Sequence, residues 1–291
     1  MKRQDLQVFL RGQCIGVLSG TSLRLSFQYH PEIVADYGAS SILLSLSLPV
    51  TRKRISAPAV FNYFDGLLPE GQIRSHLASE NGLSTPDAIG LLKVLGADCA
   101  GAVQALPDGR SPLTNGYLHP LSDEDVAQIV EALPTWDIPE DFVITASLGG
   151  VQSKVLLSRT NGTWAWPGTG SISTHIIKPE PLDSPVPHLL TAEVWALRVA
   201  AAAGLPAATA ELATFGTRQA IVVARYGRTA GDGRVHQEDF TQALALGSDV
   251  KYEGTTRPPS RLTRLVSAAP RTRGMMKNSA ARCCAPSPST W

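Results

Sequence analysis

The sequence predicts an α+β protein in two lobes, on three observations. Apolar and polar residues alternate over the first thirty positions, which is the period of half-buried strands. From Pro58 the apolar spacing lengthens to that of helices. After a Pro-, Gly- and Asn-rich stretch at 107–120, strand-like runs return and lead into one long helical segment. The expected organisation is a small α/β N-terminal subdomain over 1–106 and a linker with a short helix over 107–140. A second lobe follows over 141–254, and a tail of different character over 255–291.

"LQVFLRGQCIGVLS" alternates about Arg11-Gly12 and reads as a hairpin, and "LRLSFQYH" continues the sheet. "VFNYFDGLLPEGQIRSHLASENG" sets Phe61, Phe64, Leu67, Leu68, Ile73 and Leu77 at helical spacings, with Pro69 interrupting and Gly82 as a stop. Thr85-Pro86 offers a cap and a first-turn proline to "DAIGLLKVLG". "LSDEDVAQIVEAL" begins with a capping box formed by Ser122 and Asp125. "KVLLSRTNGTWAW" is a hairpin turning at Asn161-Gly162, and "STHIIKPE" is a further strand. "TAEVWALRVAAAAGLPA" is the clearest helix, closed by Gly204 and Pro206. "RQAIVVARYGR" reads as a strand running into a loop, and "HQEDFTQALAL" as a last helix.

The 291 residues are 43% hydrophobic and 18% charged, enough to build a core. The formal charge of +1 hides an asymmetry. Residues 255–291 carry six Arg and one Lys with no acid, leaving 19 basic residues against all 25 acidic ones, a charge of −6, in residues 1–254. An acidic body does not make a nucleic-acid-binding domain by charge. Cys14, Cys99, Cys283 and Cys284 have neither zinc nor disulfide-framework spacing, and the six histidines are scattered, so no metal site is expected. The start lacks a signal-peptide core and "SILLSLSLPV" is too short to span a bilayer, so a cytoplasmic protein without membrane association is expected.

Around Gly149-Gly150, "TASLGGVQSKVLL" fits either a hairpin turn or a loop whose amides cradle phosphate. The second half runs glycine loop, hairpin, strand ending in Lys178, helix carrying Glu193, and strand into a loop. That is the order of the N-lobe of a protein-kinase-like fold, in which a strand lysine holds phosphates and a helix carboxylate orients it. Neither residue is specific alone. No G-x4-G-K-[ST] occurs, so a Walker loop is excluded. Asp65 and Glu70 in "FDGLLPEG" read as helix and turn residues, since nothing nearby completes a catalytic site.

Taken together, "SLGGVQSKVLL", "STHIIKPE", "AAAGLPA", "RQAIVVARYGR", "VHQEDFTQALAL" and "VKYE" resemble the HipA family, toxin kinases of bacterial type II toxin–antitoxin pairs. "FDGLLPEGQIRSHLA" and "LLKVLGADCAGAV" resemble that family's N-terminal subdomain, and the likeness runs from about residue 5 to Glu253. The resemblance favours the phosphate loop and implies an ATP- and Mg-dependent serine/threonine protein kinase. On this reading Gly149, Gly150, Val151, Gln152 and Lys154 lie over the nucleotide phosphates and Lys178 holds them, with Glu193 orienting it. Ser147 is the autophosphorylation site, whose phosphate would pull the loop out of its binding conformation. Arg225 and Tyr226 belong to the linker that receives adenine, and Gln237 lies near the nucleotide. The family usually reads Glu-Arg-Phe-Asp where this chain has Ala224-Arg225-Tyr226-Gly227. The implied partners are a helix-turn-helix antitoxin, DNA only through it, and a protein of the translation apparatus as substrate.

The sequence departs from that pattern after Gly254. Its last Asp is Asp249 and its only Asn beyond Lys178 is Asn278, so no catalytic-loop Asp and no Asn/Asp pair for magnesium stand at the expected spacing. The expectation is therefore a lobe whose C-lobe is missing, through truncation or a shifted frame, with no catalytic residue present. An inactive kinase, an antitoxin-binding module without catalysis and a decayed gene product all remain open at this point.

Overall fold

The computed structural model describes residues 4–112, 116–136, 138–139, 142, 144, 146, 148–150, 152–168, 170–182, 186–229 and 233–251. Strands β1 (Gln4–Leu10), β2 (Gln13–Thr21) and β3 (Arg24–Tyr29) form an antiparallel meander, and β4 (Val103–Pro107) returns to pair with β1, giving the order β3-β2-β1-β4. The first turn is where the alternation predicted it. Arg11 and Gly12 both have positive φ, 51° and 81°, as a turn matching the strand twist requires. Helices α2 (Pro58–Asp65) and α4 (Ala88–Leu95) pack on this sheet, and α1 (Pro31–Tyr37) and α3 (Gly71–Glu80) add buried residues to the same apolar cluster. Phe27 sits at the centre, edge-on to Tyr29 at 4.7 Å and against Phe64 at 5.8 Å.

Pro69 breaks the helical run as expected, and the break at 66–70 is held by Arg74, which donates to Asp65 at 2.7 Å. α4 starts later than Thr85-Pro86 implied. Asp87 is its cap, accepting from Gly90 N–H at 3.1 Å, because an Asp directly before the apolar run satisfies the first-turn amides better than a threonine two residues earlier. α5 (Asp123–Ala132) opens with the predicted capping box, Ser122 and Asp125 each bonding the other's backbone.

The second sheet has the order β5-β7-β6-β8-β10-β9. Its strands are β5 (Leu118–Pro120), β6 (Val155–Thr160), β7 (Thr163–Pro167), β8 (His175–Pro179), β9 (Ala210–Phe215) and β10 (Arg218–Ala224). The β6–β7 turn is Asn161-Gly162, with φ of 51° and 86°. The stretch read as linker thus ends in an edge strand. α6 (Leu189–Ala202) lies on this sheet through Leu190 and Val194, packed with Ile221 and Val223. The two sheets are not separately cored: one apolar cluster runs from Leu6 and Phe27 through Ile129 to Leu157, Ile177 and Val222.

After β10 the chain forms a small ribbon, β11 (Arg228–Thr229) with β12 (Gly233–Arg234), then α7 (Phe240–Ala243). The expected last helix is only one turn long. Asp239 caps it, but Ala245 takes a left-handed φ of 57° and stops it. This segment is bound back onto the N-terminal half. Asn62 donates to Ala245 O at 2.8 Å, Ser47 Oγ to Gln242 O at 2.7 Å, and Gln242 Nε2 to Tyr63 O at 2.9 Å. Among the described residues, no helix is long and apolar enough to cross a membrane.

Candidate nucleotide cleft

Between the glycine loop, β8 and the segment around α7 lies a cleft of about 580 Å³. Strand alternation explains its floor: Ile177 faces the core, so Ile176 and Lys178 face the cleft. α6 buries Leu190 and Val194, which brings Glu193 alongside β8, and Lys178 Nζ donates to Glu193 Oε1 at 2.7 Å. Opposite stand Leu148, Gly149 and Gly150. Gly150 has φ of 110°, which side-chain-bearing residues rarely adopt. Gly149 sits so close to the α2–α3 turn that a Cβ would come within 3.0 Å of Gly66 O. Lys154 closes the loop, donating to Gly149 O at 3.1 Å and Gly150 O at 3.4 Å.

A third ammonium enters from Lys251, 2.9 Å from Glu70 Oε1 and 3.4 Å from Asp239 Oδ2. Burial opposes its charge, but the bonds to Glu70 and Asp239 outweigh burial and push its pKa up. Burial, and then the charge of Lys178, push Lys154 down to about 8. Burial raises Glu238, whose Oε2 has no partner although it is buried. Asp239 is drawn down against its burial by bonds from Thr241, Gln242 N–H and Lys251. Backbone amides, two glycines and three lysines facing one cavity are what a polyphosphate needs. The residues present therefore fit the nucleotide. Among the described residues, no group of three or more His, Cys, Asp or Glu side chains is placed to hold a metal ion.

Of the residues singled out from sequence, Gly149, Gly150, Gln152, Lys154, Lys178 and Gln237 line this cleft, and Glu193 joins it through Lys178. Val151 and Ser147 lie outside the described residues. Arg225 and Tyr226 stand apart from the lining. Tyr226 is 67% exposed, and Arg225 is buried against Asp98. There Asp98 receives three guanidinium groups, from Arg225 at 3.0 Å, Arg228 at 2.6 Å and Arg234 at 2.7 Å, along with Ser173 Oγ at 2.6 Å. Burial alone would raise this carboxyl, yet the three arginines hold it well below the usual carboxylate range.

The sequence reading missed the acids. Glu70, taken as a turn residue, accepts from Gly150 N–H at 3.1 Å, and its own N–H donates to Gly150 O at 3.4 Å. Its one signal was a carboxylate placed just before Gly71 at a helix break. Asp239 and Lys251 lie in the quoted "VHQEDFTQALAL" and "VKYE" stretches, but nothing in those stretches marked them as cleft residues.

The family model described as HipA N-terminal domain matches residues 6–106, and that described as HipA-like C-terminal domain matches residues 146–283. A Sinorhizobium fredii protein named "Putative kinase Y4mE" is 37% identical over 262 residues, covering 85% of this chain and 61% of its own. The "Serine/threonine-protein kinase toxin HipA" of Shewanella oneidensis is 30% identical over 262 residues, covering 87% and 58%. The structure of a Shewanella oneidensis HipA, solved with HipB and operator DNA, superposes with a TM-score of 0.67 at 27% identity, over 87% of this chain and 59% of that one. The chain thus spans about three fifths of the length of these relatives. These matches overturn the expectation of a missing C-lobe after Gly254. The C-terminal domain match runs through that point to residue 283, so the change to an acid-free, Arg- and Pro-rich composition had been misread as the end of the family pattern. With two successive HipA domain models matched across most of its length, and a HipA structure as neighbour, the chain belongs to the HipA family.

Proposed function

We propose that the cleft binds ATP, and that it is the nucleotide site of a HipA-type serine/threonine protein kinase. The observation that carries this is the Lys178–Glu193 pair at 2.7 Å, set across the cleft from Gly149 and Gly150. A lysine held by a helix carboxylate keeps its ammonium aimed at phosphate oxygens instead of sweeping solvent. Lys154 and Lys251 add charge beside the loop, and Gln237 and Ile176 line the cleft where the rest of a nucleotide would lie. Magnesium arrives with the nucleotide on this reading.

Transfer of the γ-phosphoryl needs a carboxylate to accept the proton of the attacking hydroxyl. Beyond Lys178 these 291 residues hold no Asp and Asn at catalytic-loop spacing, so we read them as binding ATP without transferring phosphate. The neighbouring HipA structure contains HipB and operator DNA. The same class of partner, a DNA-binding antitoxin, is proposed here, with DNA reached only through it and a component of the translation apparatus as the protein that a kinase of this kind would modify.

Isothermal titration with Mg-ATP tests the reading. Saturable binding that is lost in Lys178→Met is expected, with no label incorporated from γ-labelled ATP. Absence of binding at millimolar ATP would refute nucleotide binding, and incorporation of label would refute the non-catalytic part. Co-expression with the adjacent reading frame, followed by affinity purification, checks the antitoxin.

A further inference from the structure

Glu70 stands at the N-cap of α3, where a carboxylate ordinarily bonds the free amides of the first turn, yet it makes no cap bond. It reaches across to the glycine loop instead. Its Oε1 accepts from Gly150 N–H at 3.1 Å and from Lys251 Nζ at 2.9 Å, with the side chain 14% exposed. Lys154, bonded to the carbonyls of Gly149 and Gly150, adds its charge nearby. A backbone amide on a glycine turn with ammonium groups around it is an anion seat. Here that seat holds a carboxylate from the N-terminal half.

We infer that Glu70 occupies the place a nucleotide phosphate takes on the glycine loop, so that ATP and the N-terminal domain compete for Gly150 N–H and Lys251. The inference rests on the ATP reading above. A triphosphate carries more charge than one carboxylate and displaces it. The displaced Glu70 then no longer ties the loop to the α2–α3 turn. By reciprocity, whatever holds that turn against the loop weakens ATP binding by the same factor.

The test compares wild type with Glu70→Gln, which keeps size and hydrogen-bonding capacity but removes the charge. Titrations use Mg-ATP, inorganic tripolyphosphate and adenosine. The expected result is tighter binding of ATP and tripolyphosphate by on the order of tenfold, with adenosine unchanged. If wild type binds ATP and the variant binds it equally or more weakly, the competition is refuted while the nucleotide reading stands. Equal gains for adenosine would show a general loosening and would also refute it. If neither protein binds ATP, both readings fall. A second readout needs no variant: saturating ATP should speed hydrogen exchange of the Glu70 amide, now bonded to Gly150 O, and slower exchange overturns the inference.

Discussion

Asp98 is the residue whose loss the fold should tolerate least. Its side chain is 6% exposed and faces guanidinium groups of Arg225, Arg228 and Arg234 that are themselves 5%, 2% and 8% exposed. Asp98→Asn leaves three buried cations without their counter-charge. Breaking a buried ion pair from one side costs about 3–5 kcal/mol, because the partner is stranded. With an m-value of about 3 kcal/mol/M in urea, that lowers the midpoint by roughly 1–1.7 M. Thermal unfolding should fall by roughly 6–20 °C at about 2–4 °C per kcal/mol. The buried Trp164 and Trp166 of the shared core report the transition by fluorescence. The reverse substitution is milder. Arg234→Met leaves Asp98 two arginines, and it relieves like-charge crowding that, after burial, helps bring Arg228 down to about 10. It should cost less than half as much as Asp98→Asn. The pH dependence fixes the sign. The native carboxyl titrates below its unfolded value of about 3.9, so its contribution is complete above that pH and is lost as pH falls towards the native pKa. The gap between wild type and Asp98→Asn should be flat from about pH 5 upward and close below about pH 4. A loss under about 1 kcal/mol at pH 7, or an Arg234→Met penalty as large as that of Asp98→Asn, would refute the reasoning.

Three further outcomes follow from the cleft. Lys178→Met should abolish ATP binding in calorimetry while moving the melting temperature little, since the pair with Glu193 is partly exposed and such pairs contribute about 0–1 kcal/mol. Lys154 titrates near 8, below its unfolded range, so the unfolded chain binds more protons between about 8 and 10.4 and stability should rise with pH there. A bound triphosphate raises Lys154 again, so ATP binding near pH 8 should take up a proton, seen as a buffer-dependent binding enthalpy that Lys154→Met removes. Gly150→Ala forces a side chain into φ of 110°, costing about 1–3 kcal/mol of local strain and sharply weakening ATP binding, whereas Gly162→Ala in the remote β6–β7 hairpin should leave ATP binding unchanged.

What sequence reasoning could reach depended on whether the signal was local. The Arg11-Gly12 and Asn161-Gly162 turns, the Ser122–Asp125 box and the strand carrying Lys178 rest on residues a few positions apart, and all are present. β9 was missed because its strands-to-be, Ala210–Phe215, have a weak alternation and gain order only by pairing with β10. The last helix was overextended because Ala245 turns left-handed to let its carbonyl accept from Asn62, 183 residues away. The partners of Glu70 and Asp98 were hidden for the same reason, Gly150 lying 80 residues from the one and Arg225 127 from the other. Nothing near Asp98 in sequence announces arginines 127 to 136 positions on.

The two missed carboxylates join the same halves of the molecule in opposite ways, and nucleotide titrations separate them. Asp98 is sunk among three arginines and a serine, with no group of comparable charge able to reach it. Arg234 lies three residues before Gln237, so the anchor at Asp98 also fixes a wall of the cleft. Loosening that wall in Asp98→Asn should weaken ATP and adenosine alike. Glu70 sits at the rim on one amide and one lysine, both groups that a phosphate can claim. Glu70→Gln should act on phosphate-bearing ligands alone, and in the favourable direction. A fixed joint and a releasable one thus predict opposite signs for two single-charge removals, and the same sign in both would mean that Glu70 is simply a second anchor.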